Sequence, residues 1–307
     1  MPEIPDLDVY VEAVASRVVG HELLAVRLGH PFLLRTVEPS LDEARGRTVS
    51  SVRRLGKRVV IELGSQAEPA LFLVLHLMIA GRLHWRSAGA ALQKGRGLVS
   101  FDFASGSLQV TEAGRTRRAS LHVVRGEEAL AALDPGGLEV QSATPAEFAT
   151  ALRSENRTLK RALTDPRIIS GIGNAYSDEI LHRARLSPFK LTGDLADADV
   201  EALRGAVLTV LDEWTQRLRD EAGDGFPEHV TAFRPEMAVH GRFGEPCPVC
   251  GTSVQRIVYA ENECDYCPRC QTGGRLLADR ALSRLLKESW PKTVDEWERS
   301  RSEGGSR

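Results

Sequence analysis

Cys247-Pro248-Val249-Cys250 and Cys267-Pro268-Arg269-Cys270 are two Cys-x-x-Cys pairs. Their four thiolates can close a tetrahedral zinc site with no open position, which makes the metal structural. The β-prone run Val254 to Tyr259 lies between them, so the expected product is a zinc-pinned β-hairpin. All five cysteines crowd between Cys247 and Cys270, a distribution that suits metal binding and not a disulfide framework. The fifth, Cys264, forms a further Cys-x-x-Cys with Cys267 and could supply the second pair. Cys267 with Cys270 is preferred because the two knuckles are alike, each with proline directly after its first cysteine. Cys264 is then a free thiol of the hairpin.

Upstream of the cysteines, the periodicity from about Leu130 to Ala222 is helical, with helices expected at Pro145 to Ser154, Leu159 to Leu163, Ala175 to Ala184 and Asp197 to Ala222. Thr144 before Pro145 suits an N-cap followed by a first-turn proline. Further upstream the chain reads as strands, at Arg58 to Leu63, Leu71 to Leu75, Leu98 to Phe103 and Leu108 to Thr111, with a helix over Val9 to Val19 laid against them. Asp134-Pro135-Gly136-Gly137 marks the boundary. After Cys270, Leu276 to Leu286 has the spacing of a short amphipathic helix, and Arg299 to Arg307 is a polar tail expected to be disordered.

A chain of 307 residues has room for two domains and a small appendage. Its 42% hydrophobic and 27% charged content is that of an ordinary globular protein. No apolar run approaches the roughly 20 residues of a membrane span, and Met1-Pro2-Glu3-Ile4-Pro5-Asp6 lacks a signal-peptide pattern, so a cytoplasmic protein without membrane contact is expected. The formal net charge of -2 excludes a uniformly basic surface. Cations nevertheless gather at Arg53, Arg54, Lys57 and Arg58, at Arg115, Arg117 and Arg118, and at Arg157, Lys160 and Arg161.

Gly171-Ile172-Gly173-Asn174 precedes a helical stretch. Two glycines allow a tight turn, from which Asn174 and the helix start can direct donors toward a phosphate. Such a turn grips DNA backbone and not bases. Met1-Pro2-Glu3-Ile4-Pro5-Asp6, Leu55-Gly56-Lys57, this turn and the Cys-x-x-Cys pairs occur in the order seen in Fpg/Nei DNA glycosylases, and the resemblance covers nearly the whole chain before the tail. It implies an α+β multidomain protein with an N-terminal catalytic β-sandwich (1-128), a helical helix-two-turn-helix DNA-binding domain (129-235) and a C-terminal zinc-finger β-hairpin (236-274). A helix and tail (275-307) follow. DNA is bound in a cleft between the domains in such proteins. One structural zinc ion held by Cys247, Cys250, Cys267 and Cys270, damaged DNA as partner and a monomeric state complete the expectation.

The resemblance also implies a mechanism. Removal of Met1 frees the secondary amine of Pro2. α-Amino groups have pKa near ~8, so a useful fraction is neutral and can attack the sugar's anomeric carbon. The iminium formed is permanently cationic and acts as an electron sink for strand-cleaving elimination. Glu3 matches the proton donor, and Lys57 matches a hairpin lysine that contacts phosphate and assists elimination. Lys160 matches a basic position that neutralises phosphate, a role open also to Arg117 and Arg118. The target base must leave the stack, and side chains from two loops fill the space.

Three departures from the pattern stand out. Ile79 occupies a wedge position where methionine is usual, which keeps an apolar plug. Arg117-Arg118-Ala119-Ser120 replaces Arg-Arg-Phe-Gly, so the aromatic wedge is missing. Glu261-Asn262-Glu263 stands at the hairpin tip where an arginine clamps phosphate, and asparagine cannot replace a guanidinium. The leading expectation is a bifunctional glycosylase and abasic-site lyase for oxidised or ring-opened bases. Alternatives are a relative specialised for bulky adducts, interstrand crosslinks or single-stranded lesions, a non-catalytic binder of damaged DNA and, last, a generic zinc-ribbon adaptor.

Overall fold

The computed structural model describes residues 1–64, 69–114, 116–231, 233–259, 262–277, 291–297 and 299. The chain divides into two units, Met1–Gly137 with Leu211–Ala232, and Leu138–Val210 with Phe233–Arg307.

The first unit opens with helix α1 (Ile4–Val18), which starts five residues before the expected Val9. Pro5 sits in its first turn, where a missing N–H costs nothing, and Asp6 accepts the Glu3 backbone N–H at 3.0 Å. Leu7, Tyr10, Val14 and Val18 recur at helical spacing and turn one face of α1 into the core. Eight strands follow: β1 (Ala25–Leu28), β2 (Thr48–Leu55), β3 (Arg58–Gly64), β4 (Leu71–His76), β5 (Gly81–Arg86), β6 (Gly97–Phe103), β7 (Gly106–Glu112) and β8 (Ser120–Arg125). They form two antiparallel four-stranded sheets, ordered β2-β3-β4-β8 and β1-β6-β7-β5. The expected β-sandwich is present.

Strand β4 shows why the two layers hold together. Leu71, Leu73 and Leu75 join the main core with Val99, Phe101, Leu108 and Val110 of the other sheet. Phe72 and Val74, on the opposite face, pack with Val60, Val124 and Leu130, the last from helix α2 (Gly126–Ala131). A strand apolar on both faces cannot show alternation in its sequence, because each face has its own buried partner. Each fully buried Leu or Phe contributes about 1.5–3 kcal/mol.

The second unit holds helices α3 (Pro145–Arg153), α4 (Leu159–Thr164) and α5 (Asn174–Arg183), and helix α6 (Asp197–Ala222) as far as Val210, its second half from Leu211 belonging to the first unit. Thr144 caps α3 as expected, accepting from the Glu147 N–H at 3.3 Å while its own N–H donates to Glu147 at 2.8 Å. Strands β9 (Gln255–Tyr259) and β10 (Asn262–Tyr266) form the antiparallel hairpin, followed by the short helix α7 (Pro268–Thr272). Buried Glu179 of α5 accepts the backbone N–H groups of Ala238, Val239 and His240 at 2.7–2.9 Å, tying the segment before the cysteines to that helix. Of the helix expected over Leu276 to Leu286, only Leu276 and Leu277 are among the described residues, and the tail beyond Arg299 lies outside them.

Candidate active site and zinc centre

In the first unit, Pro2 and Glu3 are buried at the head of α1, Glu3 at 3% exposure. The terminal amine beside them, that of Met1, has its pKa lowered, mainly by burial. The charges of Arg82 and Lys57 add to the lowering, and those of Glu3 and Asp6 oppose it. An amine so placed keeps a larger neutral fraction near neutral pH than a free terminus does. Sequence reading selected Pro2, Glu3 and Lys57 here but passed over Asp6 and Arg82. Arg82 of β5 donates to the carbonyls of Val230 (2.6 Å), Gly81 (2.7 Å) and Ile79 (3.1 Å).

Lys57 lies in the two-residue turn between β2 and β3, where Leu55 pairs with Arg58. Gly56 takes φ 57° at the first turn position, a conformation that suits glycine in a hairpin of this length. Ile79 is 58% exposed on the loop between β4 and β5. That loop closes tightly: Gly81 N donates to Leu77 O at 2.9 Å, and a Cβ on Gly81 would stand 2.2 Å from that same oxygen. Arg117 and Arg118 lie between β7 and β8. The buried Glu112 carboxylate accepts the N–H groups of Arg118 and Ala119 at 2.9–3.3 Å. Arg117 donates to Gly95 O at 2.5 Å, the Arg118 side chain is exposed, and Ala119 is buried. Arg115 lies outside the described residues.

His76, at the end of β4 opposite Arg58, has its pKa lowered to about 4 by burial and by the charges of Arg58, Lys57 and His122. The unfolded chain, with an ordinary His pKa near ~6.5, therefore takes up this proton first on acidification. Stability is present above about pH 6.5 and is lost as pH falls toward 4, by on the order of 3 kcal/mol. Urea titrations at pH 7 and pH 4.5 should show His76→Gln losing less stability than wild type. Equal losses in both proteins would refute the assignment.

In the second unit, Gly171 takes φ 75°, a left-handed conformation that favours glycine, whereas Gly173 precedes α5 in an extended conformation that does not by itself require one. Asn174 is half-buried at the first helical position. Lys160 of α4 is 9% exposed, and its ammonium donates to Asn174 O at 2.7 Å and to Asp178 Oδ1 at 2.6 Å. The second Asp178 oxygen meets His240 Nδ1 at 2.8 Å.

The Sγ atoms of Cys247, Cys250, Cys267 and Cys270 all lie within 4.8 Å of one another, with Cys247–Cys270 at 3.9 Å and Cys250–Cys267 at 3.4 Å. Four thiolates about 2.3 Å from zinc have edges of about 3.8 Å, so the set fits one tetrahedral ion. Cys264 is buried in β10 outside this set, in keeping with the preferred pairing. His182 Nε2 lies 3.2 Å from Cys247 Sγ, and burial lowers its pKa, so a neutral imidazole can donate its N–H to the ligand sulfur. His182→Ala should weaken zinc affinity about 10–100-fold in chelator competition. An unchanged affinity would show this contact to be incidental. At the hairpin tip, Glu261 lies outside the described residues, and Glu263 pairs with Arg256 at 3.1 Å.

A family model described as the formamidopyrimidine-DNA glycosylase N-terminal domain matches residues 1–167. The H2TH domain of the same enzymes matches 132–219, and a zinc finger found in FPG and IleRS matches 244–273. The chain therefore belongs to the formamidopyrimidine-DNA glycosylase family: it is a DNA-repair glycosylase with a zinc finger for one zinc ion. Among relatives, a formamidopyrimidine-DNA glycosylase of Symbiobacterium thermophilum is 30% identical over 88% of this chain and 89% of its own. An uncharacterized formamidopyrimidine-DNA glycosylase-like protein of Mycobacterium tuberculosis is 43% identical over 51% of this chain and 95% of its own. The fold is shared with Lactococcus lactis Fpg in complex with abasic-site DNA, at TM-score 0.77 and 23% identity over 88% of this chain and 99% of that one. No described helix is long and apolar enough to cross a membrane.

Proposed function

We propose that this glycosylase is bifunctional, excising oxidised or ring-opened bases and cleaving the strand at the resulting abasic site, with the amine of Pro2 as the nucleophile once Met1 is removed. The observation that carries the proposal is that Pro2 and Glu3 are buried together at the head of α1, in a setting where Glu3, Asp6, Arg82 and Lys57 all act on the amine of Met1 one residue away. The amine attacks the anomeric carbon as the carbon–base bond breaks, and Glu3 supplies the proton that opens the sugar. The ring-opened sugar is left as an iminium, which draws the electrons of the adjacent C–H bond as the 3′ phosphate leaves. Lys57 neutralises phosphate during that elimination. Damaged DNA is held by the Asn174 turn, with Arg117 and Arg118 on phosphate and Ile79 as the plug. Members of the family crystallised with abasic-site DNA and with DNA containing an oxidised pyrimidine support this substrate class. The protein acts as a monomer, one site per chain, in the cytoplasm.

Borohydride reduction in the presence of duplexes carrying an abasic site, a ring-opened purine or an oxidised pyrimidine tests this directly. The expected result is a covalent adduct that maps to Pro2 by peptide mass. Absence of an adduct on every duplex, or an adduct on another residue, overturns the nucleophile. A second reading, action on bulky, crosslinked or single-stranded lesions, is favoured by buried Ala119 where an aromatic wedge is usual. A crosslinked or single-stranded substrate giving most adduct would select it.

A further inference from the structure

Lys160 is a buried cation that is already balanced. Its ammonium touches Asp178, whose side chain is fully buried, and the carbonyl of Asn174, the residue where the turn enters α5. The balance extends through the second unit. Asp178 meets His240 Nδ1 at 2.8 Å, and Asp265 Oδ2 lies 4.0 Å from the same nitrogen. Asp265 accepts from Arg256 at 2.9 Å and from the Gly241 N–H at 2.8 Å. Asp178, His240 and Asp265 have the spacing of a metal site, but Lys160 and Arg256 already neutralise the two carboxylates, which disfavours a further cation there.

A lysine that pairs with a phosphate releases a counterion, and log Kobs against log salt steepens by about 0.9 for each such contact. A lysine held on a buried carboxylate releases none. We infer that Lys160 and Asp178 are positioning residues: they fix the Asn174 carbonyl and so the turn, which grips DNA through neutral donors, while Lys160 adds no ion pair to phosphate. The inference rests on the reading of this turn as a DNA grip. Asp178 draws the ammonium inward, so it also sets how strongly salt competes with DNA.

The test is the dissociation constant for a duplex containing a tetrahydrofuran abasic analogue, measured from about 50 to 200 mM salt, the range over which ionic contacts declare themselves. Wild type is compared with Asp178→Asn and with the double variant Lys160→Met, Asp178→Leu. The double variant removes the Lys160–Asp178 ion pair as a unit, and His240, which loses Asp178, still has Asp265 Oδ2 4.0 Å from its Nδ1. Zinc content at one per chain reports folding of each. The double variant is expected to keep the wild-type salt slope while binding more weakly, and Asp178→Asn to steepen it by about 0.9 as the ammonium turns outward. A double variant shallower by about 0.9 would place Lys160 on phosphate and overturn the inference. So would Asp178→Asn with the wild-type slope. Wild-type protein that holds its zinc yet binds neither the analogue nor undamaged duplex would overturn the DNA-grip reading itself, a result distinct from either.

Discussion

Protein prepared with Met1 still attached to Pro2 is expected to excise no base and cleave no abasic strand, a loss of at least about 10³-fold. The nitrogen of Pro2 is then a tertiary amide, whose lone pair is delocalised into the carbonyl and cannot attack. The only amine left at that end belongs to Met1, about 3.5 Å further along the chain and primary in type. Cell-free synthesis without an aminopeptidase yields this form, and trimming with the enzyme should restore activity in proportion to the Met1 lost by intact mass. Because the two samples differ by Met1 alone, and trimming acts on protein that is already folded, a folding defect cannot mimic the result. Full activity with Met1 in place would remove Pro2 from the mechanism.

The second large effect concerns the metal. Cys267→Ser should lower bound zinc from one per chain toward zero, whereas Cys264→Ser should retain it. Structural zinc contributes on the order of 10–16 kcal/mol in isolated finger modules, far more than the hairpin's small apolar clusters can replace. The Cys267 variant should therefore lose the ordered hairpin, read as protease sensitivity between β9 and α7. Metal lost in Cys264→Ser and retained in Cys270→Ser would instead give the second knuckle to Cys264 with Cys267.

Several of these conclusions were legible in the sequence because the relevant signals are local. The likeness of Cys247-Pro248 and Cys267-Pro268 separated ligands from Cys264, and the long period of Asp197 to Ala222 gave α6 at both ends. The start of α1 was missed because Pro5 looks like a breaker, although in a first turn it is tolerated. Helix α2 is too short, at Gly126–Ala131, to show a period. What lay beyond reach depended on distant partners. Asp178 is 18 residues from Lys160, and only the fold brings its carboxylate to 2.6 Å from that ammonium. Arg82 likewise reads as one more surface cation until the terminal amine comes within its field.

The tight closure at Gly81 has a thermodynamic consequence for Ile79. Fixing one residue's backbone costs roughly 1–2 kcal/mol of entropy, and in a slack loop that loss falls at the moment of encounter. Here Met78 already holds φ 53° and Gly81 is bonded back to Leu77, so the loop is ordered when the chain folds. An exposed apolar side chain on such a support meets its target with little freedom left to surrender, and any glycine-lengthened loop would bind with a larger entropic penalty for the same contact.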